Sequence, residues 1–268
     1  ECKTNALRHI ARRKTELVAF FEHVEKVASD PLSEEDAQRE LKSAFKDRPY
    51  FLGRRLVEIV ALRRAILQID APAFRDFGKL ALASIAVGCS EMKRAADLRY
   101  RTDDEKLSED WSPLEQFHKK CQQILSDIGL QLSELPSVTC LSESALAEPT
   151  PRDYIDLVIT SPPYVNGTNY FRNTKLELWL TDFLKEETDL ASFTDAAMAA
   201  GINNVSSRGR TPTKIPSVEK GANQLDEVAY DRRIPELIRR YFSDSMRWIG
   251  NVHQILRPGG KLIIDIGD

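Results

Sequence analysis

The pattern of apolar and polar residues divides the chain into a helical first half and a mixed second half. Through residues 1–133, apolar residues recur three and four positions apart, which is typical of amphipathic helices. Ser33, three residues before Asp36, predicts an N-cap, and Pro72 stands where a first helical turn tolerates proline. The predicted helices cover about 3–28, 33–45, 52–69, 72–96 and 113–128. We therefore expect residues 1–133 to form a helical region, which could be a target-recognition domain or an insert that only packs.

The second half contains two strand patterns. Residues 154–160 form an apolar run rich in β-branched residues, and a Ser-Pro-Pro-Tyr turn at 161–164 ends it. This predicts a buried parallel strand that delivers a stiff loop at its carboxyl end. Helices are predicted at about 170–184 and 231–256, and a further strand at 261–266. The sequence thus predicts an α/β fold, and the carboxyl ends of parallel strands are where open α/β sheets bind ligands.

Residues 186–230 differ from their surroundings. They contain few large apolar residues and include a Gly, Ser and Arg segment without periodicity at 201–214. This composition predicts a mobile loop. The loop could be a lid that orders on a bound partner or a surface insertion without a partner.

Composition narrows the class of protein. The chain has 268 residues, 42% hydrophobic content and a formal net charge of −3, which allows a real core and argues against a uniformly basic nucleic-acid-coating protein. A run of 18 apolar residues and a signal-peptide pattern are both missing, so we expect a cytoplasmic protein without a membrane partner. The four cysteines and four histidines show no ligand spacing, which predicts no metal site and buried, inert thiols.

The residues of the turn offer two hydrogen-bond acceptors and an aromatic ring. Pro162 and Pro163 lack an N–H and hold the backbone stiffly, so the Ser161 hydroxyl and the Pro162 carbonyl are free acceptors on a rigid frame. Tyr164 adds an aromatic ring beside them. Two acceptors and a ring suit a planar substrate that carries an exocyclic NH2 group. The alternative is a surface turn or a proline-motif ligand.

Thr160-Ser161-Pro162-Pro163-Tyr164 resembles the catalytic motif of the S-adenosylmethionine-dependent DNA amino-methyltransferases, which modify N4 of cytosine or N6 of adenine. The resemblance covers about 134–190 and 231–268 and continues in the segments 165–172, 176–179, 241–244 and 256–260. It implies that residues 134–268 are part of a catalytic core with a partial Rossmann-like sheet. The serine form of the motif is more common among the cytosine enzymes of the family, which favours cytosine N4 as the target.

The resemblance also implies roles for individual residues. Ser161, Pro162, Pro163 and Tyr164 would be catalytic, accepting the amine protons and stacking on a base flipped out of double-stranded DNA, as in the DNA methylation of restriction-modification systems. The residues expected to bind S-adenosylmethionine are Glu143, Thr160 and Ser161. The residues expected to bind the substrate are Asn166, Asn169, Arg172, Arg208 and Arg210.

The cofactor site is incomplete in this sequence. The twelve glycines include no G-x-G pair, although such folds hold the cofactor at a glycine-rich turn. Both ends of the sequence have the pattern of a truncated chain. We therefore expect a missing N-terminal or C-terminal segment of the same protein, without which this chain could be inactive. Four other functions stay open: methylation of adenine N6, of RNA or of a protein glutamine, and a non-catalytic nucleic-acid-binding subunit. A helical module with an accidental motif is the purely structural alternative.

Overall fold

The structure, a computed structural model, describes residues 10, 13–95, 98–108, 110–129, 139–141, 143–149, 154–165, 170–202, 205 and 213–266. Within these residues the chain forms nine α-helices, one short 3-10 helix and two two-stranded sheets. The predicted α/β class is confirmed as a mixed, largely helical fold. The chain divides into two compact units, one of Glu1–Cys140 with Phe171–Ala191 and one of Leu141–Tyr170 with Ser192–Asp268. Residues 171–191, predicted as part of the catalytic half, thus belong to the first unit.

Helices build most of the first unit. They are α1 (Lys14–Ser29), α2 (Glu34–Phe45), α3 (Gly53–Leu67), α4 (Pro72–Ile85), α5 (Pro113–Gly129) and most of α6 (Tyr170–Leu180). Helix α3 packs against α1, α2, α4 and α5, because buried residues lie on several of its sides. The predicted start of α2 is confirmed: the Asp36 N–H donates to Ser33 Oγ at 3.1 Å. Pro72 is likewise in the first turn of α4.

Aromatic side chains fill the core of this unit. The ring centroid of Phe20 lies 5.3 Å from that of Phe77, and the centroid of Trp179 lies 5.8 Å from that of Phe45. These separations are within the range in which aromatic pairs attract one another. Helix α6 is therefore anchored in the first unit through Trp179.

A hairpin replaces the end of a predicted helix. The prediction of one helix over 72–96 is wrong beyond Ile85, because β1 (Met92–Arg94) pairs antiparallel with β2 (Leu98–Tyr100). Ser90 gives the local reason: its hydroxyl donates to Val87 O at 2.9 Å and accepts from Met92 N at 3.1 Å. Such side-chain bonds to nearby backbone compete with the helical ladder. A 3-10 turn at Asp103–Glu105 follows.

The second unit contains β3 (Ile155–Thr160), α8 (Pro216–Val228), α9 (Arg233–Ile255) and β4 (Leu256–Ile264), and α7 (Asp189–Ala196) spans the boundary between the units. Strands β3 and β4 are parallel, with helices in the connection between them. Strand β4 begins at Leu256, before the predicted strand at 261–266, so Gly259, with φ +81°, lies inside the strand and not in a turn that precedes it. A Cβ on Gly260 would lie 3.0 Å from Ile155 O, so only glycine fits there without a shift.

The prediction that β3 is buried is wrong for one of its faces. Leu157 is 46% and Ile159 is 69% exposed, and Ile263, which pairs with Ile159, is 51% exposed. The opposite face is more covered, because α9 packs against β4. In the part of the chain that the structure describes, the apolar run of β3 is therefore covered from one side only, which is unusual for a parallel sheet.

Two helices occupy parts of the predicted loop at 186–230. The prediction of irregular structure is wrong at α7 and α8, whereas Arg208 and Arg210 lie outside the described residues. In α8, Pro216 is in the first turn, and the apolar positions Val218, Ala222 and Leu225 lie on one face. The helix forms because α9 offers that face a packing surface.

Candidate functional site

The Ser-Pro-Pro-Tyr turn begins where β3 ends. Thr160 is the last residue of the strand, and its carbonyl accepts a hydrogen bond from Asp265 N at 3.0 Å. Pairing with the segment after β4 therefore continues up to the turn. Ser161 follows immediately and is exposed, while Pro162 is half-buried. The predicted placement of the turn at the carboxyl end of a parallel strand is confirmed.

A cavity of about 570 Å³ lies beside this turn, within the second unit. Its volume is in the range of small-ligand sites, roughly 300–1,000 Å³. Its wall combines the turn with α9 and the end of β4. The lining residues are mostly aromatic or aliphatic: Pro162, Tyr164, Val165, Tyr241, Phe242, Ser245, Met246, Trp248, Ile249, Ile264 and Ile266.

Helix α9 supplies the aromatic wall through one stripe of side chains. Tyr241, Ser245 and Trp248 are four and three residues apart, so they lie on the same side of the helix. Burial raises the pKa of the Tyr241 hydroxyl, and a hydrogen bond with Ser245 opposes that rise. Tyr241 therefore stays neutral near pH 7 and presents a flat, uncharged surface.

A small apolar cluster holds the chain just after the turn. Ala199, Val205 and Leu237 are buried together, and Val165 packs against them. Close by, Asp244 of α9 accepts a hydrogen bond from Ala199 N at 3.0 Å. The residue that follows Tyr164 is thus fixed to the same helix that forms the cavity wall.

The structure brings together only part of the predicted catalytic set. Pro162 and Tyr164 line the cavity, whereas Ser161 and Pro163 are not among its lining residues. Thr160 and Pro163 are half-buried, and Glu143 is exposed in a loop. Arg172 lies in α6, in the first unit. The predicted residues Asn166, Asn169, Arg208 and Arg210 are outside the described residues.

The contribution of α9 to the cavity was not predicted from the sequence. Its apolar stripe predicts a buried helix face, and Tyr241 and Trp248 are indeed buried, but Phe242 and Met246 are exposed. Both exposed residues line the cavity. The available signal was the density of aromatic residues in this segment, with Tyr241, Phe242 and Trp248 close together.

The arginines of α3 have internal partners. Their pattern allowed contact with nucleic acid or an ordinary solvated face. In the structure each forms an ion pair within the first unit: Arg54 with Glu58, Arg55 with Glu91, Arg63 with Asp182, and Arg64 with Glu40. Arginines already paired with carboxylates attract phosphate less strongly, so the structure favours a structural role for them.

The cysteines divide into two kinds. Cys89 and Cys121 are buried, and burial raises the pKa of Cys89 to about 11 and that of Cys121 to about 12. Cys140 is exposed, so the prediction of buried thiols is wrong there. In the described segments, no three histidine, cysteine or acidic side chains cluster as metal ligands would. The described helices also include none with the length and apolar character needed to cross a membrane.

Comparisons of the chain with protein-family models, with curated proteins and with solved structures find no match. The assignment of a candidate site is therefore supported by the geometry of the described residues alone.

Proposed function

We propose that this chain is part of an S-adenosylmethionine-dependent methyltransferase that acts on the exocyclic amine of a base in double-stranded DNA, with cytosine N4 favoured. One observation carries the proposal: a proline-stiffened turn follows a parallel strand directly, and two of its residues line an aromatic cavity. A flat base fits such a cavity, and stacking on aromatic side chains is how proteins hold an unpaired base. We propose further that β3 and β4 belong to a larger Rossmann-like sheet.

The chemical task is to make an amine reactive. An exocyclic amine is a poor nucleophile because its lone pair is conjugated with the ring. The Pro162 carbonyl and the Ser161 hydroxyl would accept hydrogen bonds from the two N–H groups of the amine, which favours a pyramidal nitrogen with a free lone pair. Tyr164 would stack on the ring and fix its orientation, and such positioning lowers the barrier further.

The methyl donor fits the described residues only in part. S-adenosylmethionine would supply an activated methyl group, and the side chains proposed to contact it are Thr160, Ser161 and Glu143. Thr160 and Ser161 offer hydroxyl groups at the strand end, and Glu143 offers an exposed carboxylate. Among the described residues, none that lines the cavity is charged and could pair with the amino-acid end of the donor. The cavity thus suits the substrate ring better than the whole donor.

The test is methyl transfer from labelled donor to DNA, measured with the full-length protein. Tyr164→Ala and Ser161→Ala should each lower the rate by about 100-fold or more while the protein stays folded. Two exposed positions away from the cavity provide matched controls, Tyr230→Ala and Ser217→Ala, which should keep the wild-type rate.

Several results would decide among functions. Wild-type transfer in both Tyr164→Ala and Ser161→Ala would contradict the proposal. Digestion of the methylated DNA would identify N4-methylcytosine, the expected product, or N6-methyladenine. Transfer to RNA or to protein glutamine, with none to DNA, would reassign the substrate.

A further inference from the structure

Two cationic side chains of the first unit bond to the same hydroxyl oxygen. The Lys175 ammonium of α6 donates to Tyr50 Oη at 2.5 Å, and the Arg48 guanidinium donates to that oxygen at 3.3 Å. Lys175 is only 9% exposed, and its Nζ lies 4.3 Å from the centroid of the Tyr50 ring. A lysine buried to this extent is normally paired with a carboxylate. Among the residues that the structure describes, neither Lys175 nor Arg48 forms an ion pair.

Glu187 does not neutralise these two cations. The hydrogen bond to Tyr50 is the main cause that raises the pKa of Arg48, and the charge of Glu187 adds to it more weakly. The Glu187 carboxylate forms its ion pair with Lys46 instead. Arg48 and Lys175 therefore keep their positive charges side by side, and like charges in such a position repel each other. A bound anion would relieve that repulsion.

The cluster of Arg48, Tyr50 and Lys175 also has more hydrogen-bond donors than acceptors. A tyrosine hydroxyl offers two acceptor positions and one O–H, a lysine offers three N–H groups, and an arginine offers five. Arg48 and Lys175 occupy both acceptor positions of Tyr50, and within the described ranges the Tyr50 O–H has no acceptor. The groups left unmatched are all donors. The partner that suits them carries several acceptor oxygens and a negative charge.

Arg48 connects this cluster with solvent. It is exposed, whereas its partner Tyr50 is buried. The ring of Tyr100, which is 45% exposed, stacks on the Tyr50 ring with centroids 6.0 Å apart and planes at 20°. The surface at this point thus combines an accessible guanidinium with a flat aromatic side chain. A guanidinium can donate two parallel hydrogen bonds to the oxygens of a phosphate group.

We propose that Arg48 binds a phosphate group directly and that the buried charge of Lys175 strengthens this binding across the Tyr50 hydroxyl. The phosphate has two possible sources, a nucleic-acid strand or a small phosphorylated molecule. The first source rests on the proposed function, and Tyr100 then stacks on a neighbouring base. The site itself does not depend on that function. The arginines of α3 provide a contrast within the same unit, because each of them is paired with a carboxylate.

Calorimetric titration of the 268-residue chain with inorganic phosphate, at constant ionic strength, tests the site. Arg48→Gln changes an exposed residue and should raise the dissociation constant about tenfold or more, the usual effect of losing a hydrogen bond between charged groups. The control Arg39→Gln removes the same charge from α2, where Arg39 is exposed and paired with Glu35 and Asp36, and should bind phosphate like wild type. No binding by wild type, or equal dissociation constants for wild type and Arg48→Gln, overturns the proposal.

Lys175→Met tests the contribution of the buried charge. We expect the dissociation constant for phosphate to rise about tenfold, because a positive charge a few ångströms from the anion is lost. Saturating phosphate should raise the melting temperature of wild type more than that of Lys175→Met, since a ligand stabilises the fold according to its affinity. A merely structural role would lower the melting temperature equally with and without phosphate and leave the dissociation constant unchanged. That result would refute the role of Lys175.

A DNA duplex distinguishes the two sources of the phosphate. Duplex binding weakens as salt rises, and the slope of log K against log salt decreases by about 0.9 for each phosphate contact that is lost. If the phosphate belongs to DNA, Arg48→Gln should reduce the slope by about that amount, and Tyr100→Ala should weaken duplex binding. Phosphate binding through Arg48 with an unchanged duplex slope assigns the site to a small phosphorylated molecule.

The failure of this inference is distinguishable from that of the proposed function. Phosphate binding that depends on Arg48, without methyl transfer in the full-length protein, would refute the methyltransferase alone. Methyl transfer to DNA together with equal phosphate binding by wild type and Arg48→Gln would refute the phosphate site alone.

Discussion

We expect the buried side chain of Arg239 to stabilise the packing of α8 against α9 in the second unit. Its side chain is 1% exposed on α9 and reaches three partners on α8. The Arg239 guanidinium donates to Glu219 at 3.2 Å, to Asn223 at 2.8 Å and to Asp226 at 2.7 Å. We predict that Arg239→Met, which keeps much of the volume and removes the charge, strongly destabilises the packing of α8 on α9.

The expected loss in free energy of unfolding depends on how well water reaches the two carboxylates. Removing one member of a buried ion pair costs about 3–5 kcal/mol, because the other charge stays buried. Here the Glu219 side chain is 24% and the Asp226 side chain is 40% exposed, so water can reach both carboxylates. We therefore expect a loss of about 2–4 kcal/mol. For a domain of about 100 residues this lowers the melting temperature by roughly 10–20 °C.

The assay is thermal unfolding followed by circular dichroism and calorimetry, and the neighbouring residue provides the control. Arg240, unlike Arg239, is exposed. Arg240→Met should change the melting temperature by no more than about 2 °C, since surface substitutions usually cost under about 0.5 kcal/mol. Adding Glu219→Gln and Asp226→Asn to Arg239→Met should recover part of the loss. Equal melting temperatures for Arg239→Met and Arg240→Met would refute the reasoning.

Two further predictions concern helix glycines and the thiols. Gly78→Ala places a Cβ 3.0 Å from Ile66 and should lower the free energy of unfolding by about 1 kcal/mol. Gly221→Ala, whose Cβ meets nothing within 4 Å, should raise it by a similar amount, and denaturant titration of both variants measures the two changes. At pH 8, a maleimide should label Cys140 rapidly and the other two described cysteines only after unfolding, because burial and a raised pKa both suppress their thiolates; mass spectrometry of the digested chain tests this, and equally rapid labelling of all three would contradict it.

Elements with local signals could be predicted from the sequence. The starts of α2 and α5 follow from Ser33 and from Ser112 before Pro113, because each serine accepts a hydrogen bond from a backbone N–H three residues later. The β1–β2 hairpin could be predicted only in part. Ser90 ends the preceding helix locally, but the hairpin is also held by contacts far apart in sequence, including the bond from Leu98 N to Asn173 Oδ1 at 2.8 Å.

The site shows the same division between local and distant causes. The Ser-Pro-Pro-Tyr turn was predictable, because the prolines act on their own neighbours and the apolar run of β3 precedes them. The opposite wall of the cavity was not. Tyr241 and Trp248 come from a helix more than 70 residues later, and their stripe alone does not reveal whether it meets a core or a cavity. Helix α8 was missed because its apolar face is small and its buried partner is Arg239, a charged residue.

The alternation of β3 explains which residues of the turn reach the cavity. Residues at even positions lie on the α9 side: Val158 and Thr160 pair with Leu262 and Ile264, and Ile264 lines the cavity. Because each proline favours extended geometry in the residue before it, the period of two continues through the turn. Pro162 and Tyr164 therefore line the cavity, and Ser161 is exposed. If a base occupies the cavity, Tyr164 holds its face, and the Ser161 hydroxyl can act only on an amine that projects beyond the wall. It follows that Tyr164→Ala should weaken nucleoside binding, whereas Ser161→Ala should slow methyl transfer and leave that binding unchanged.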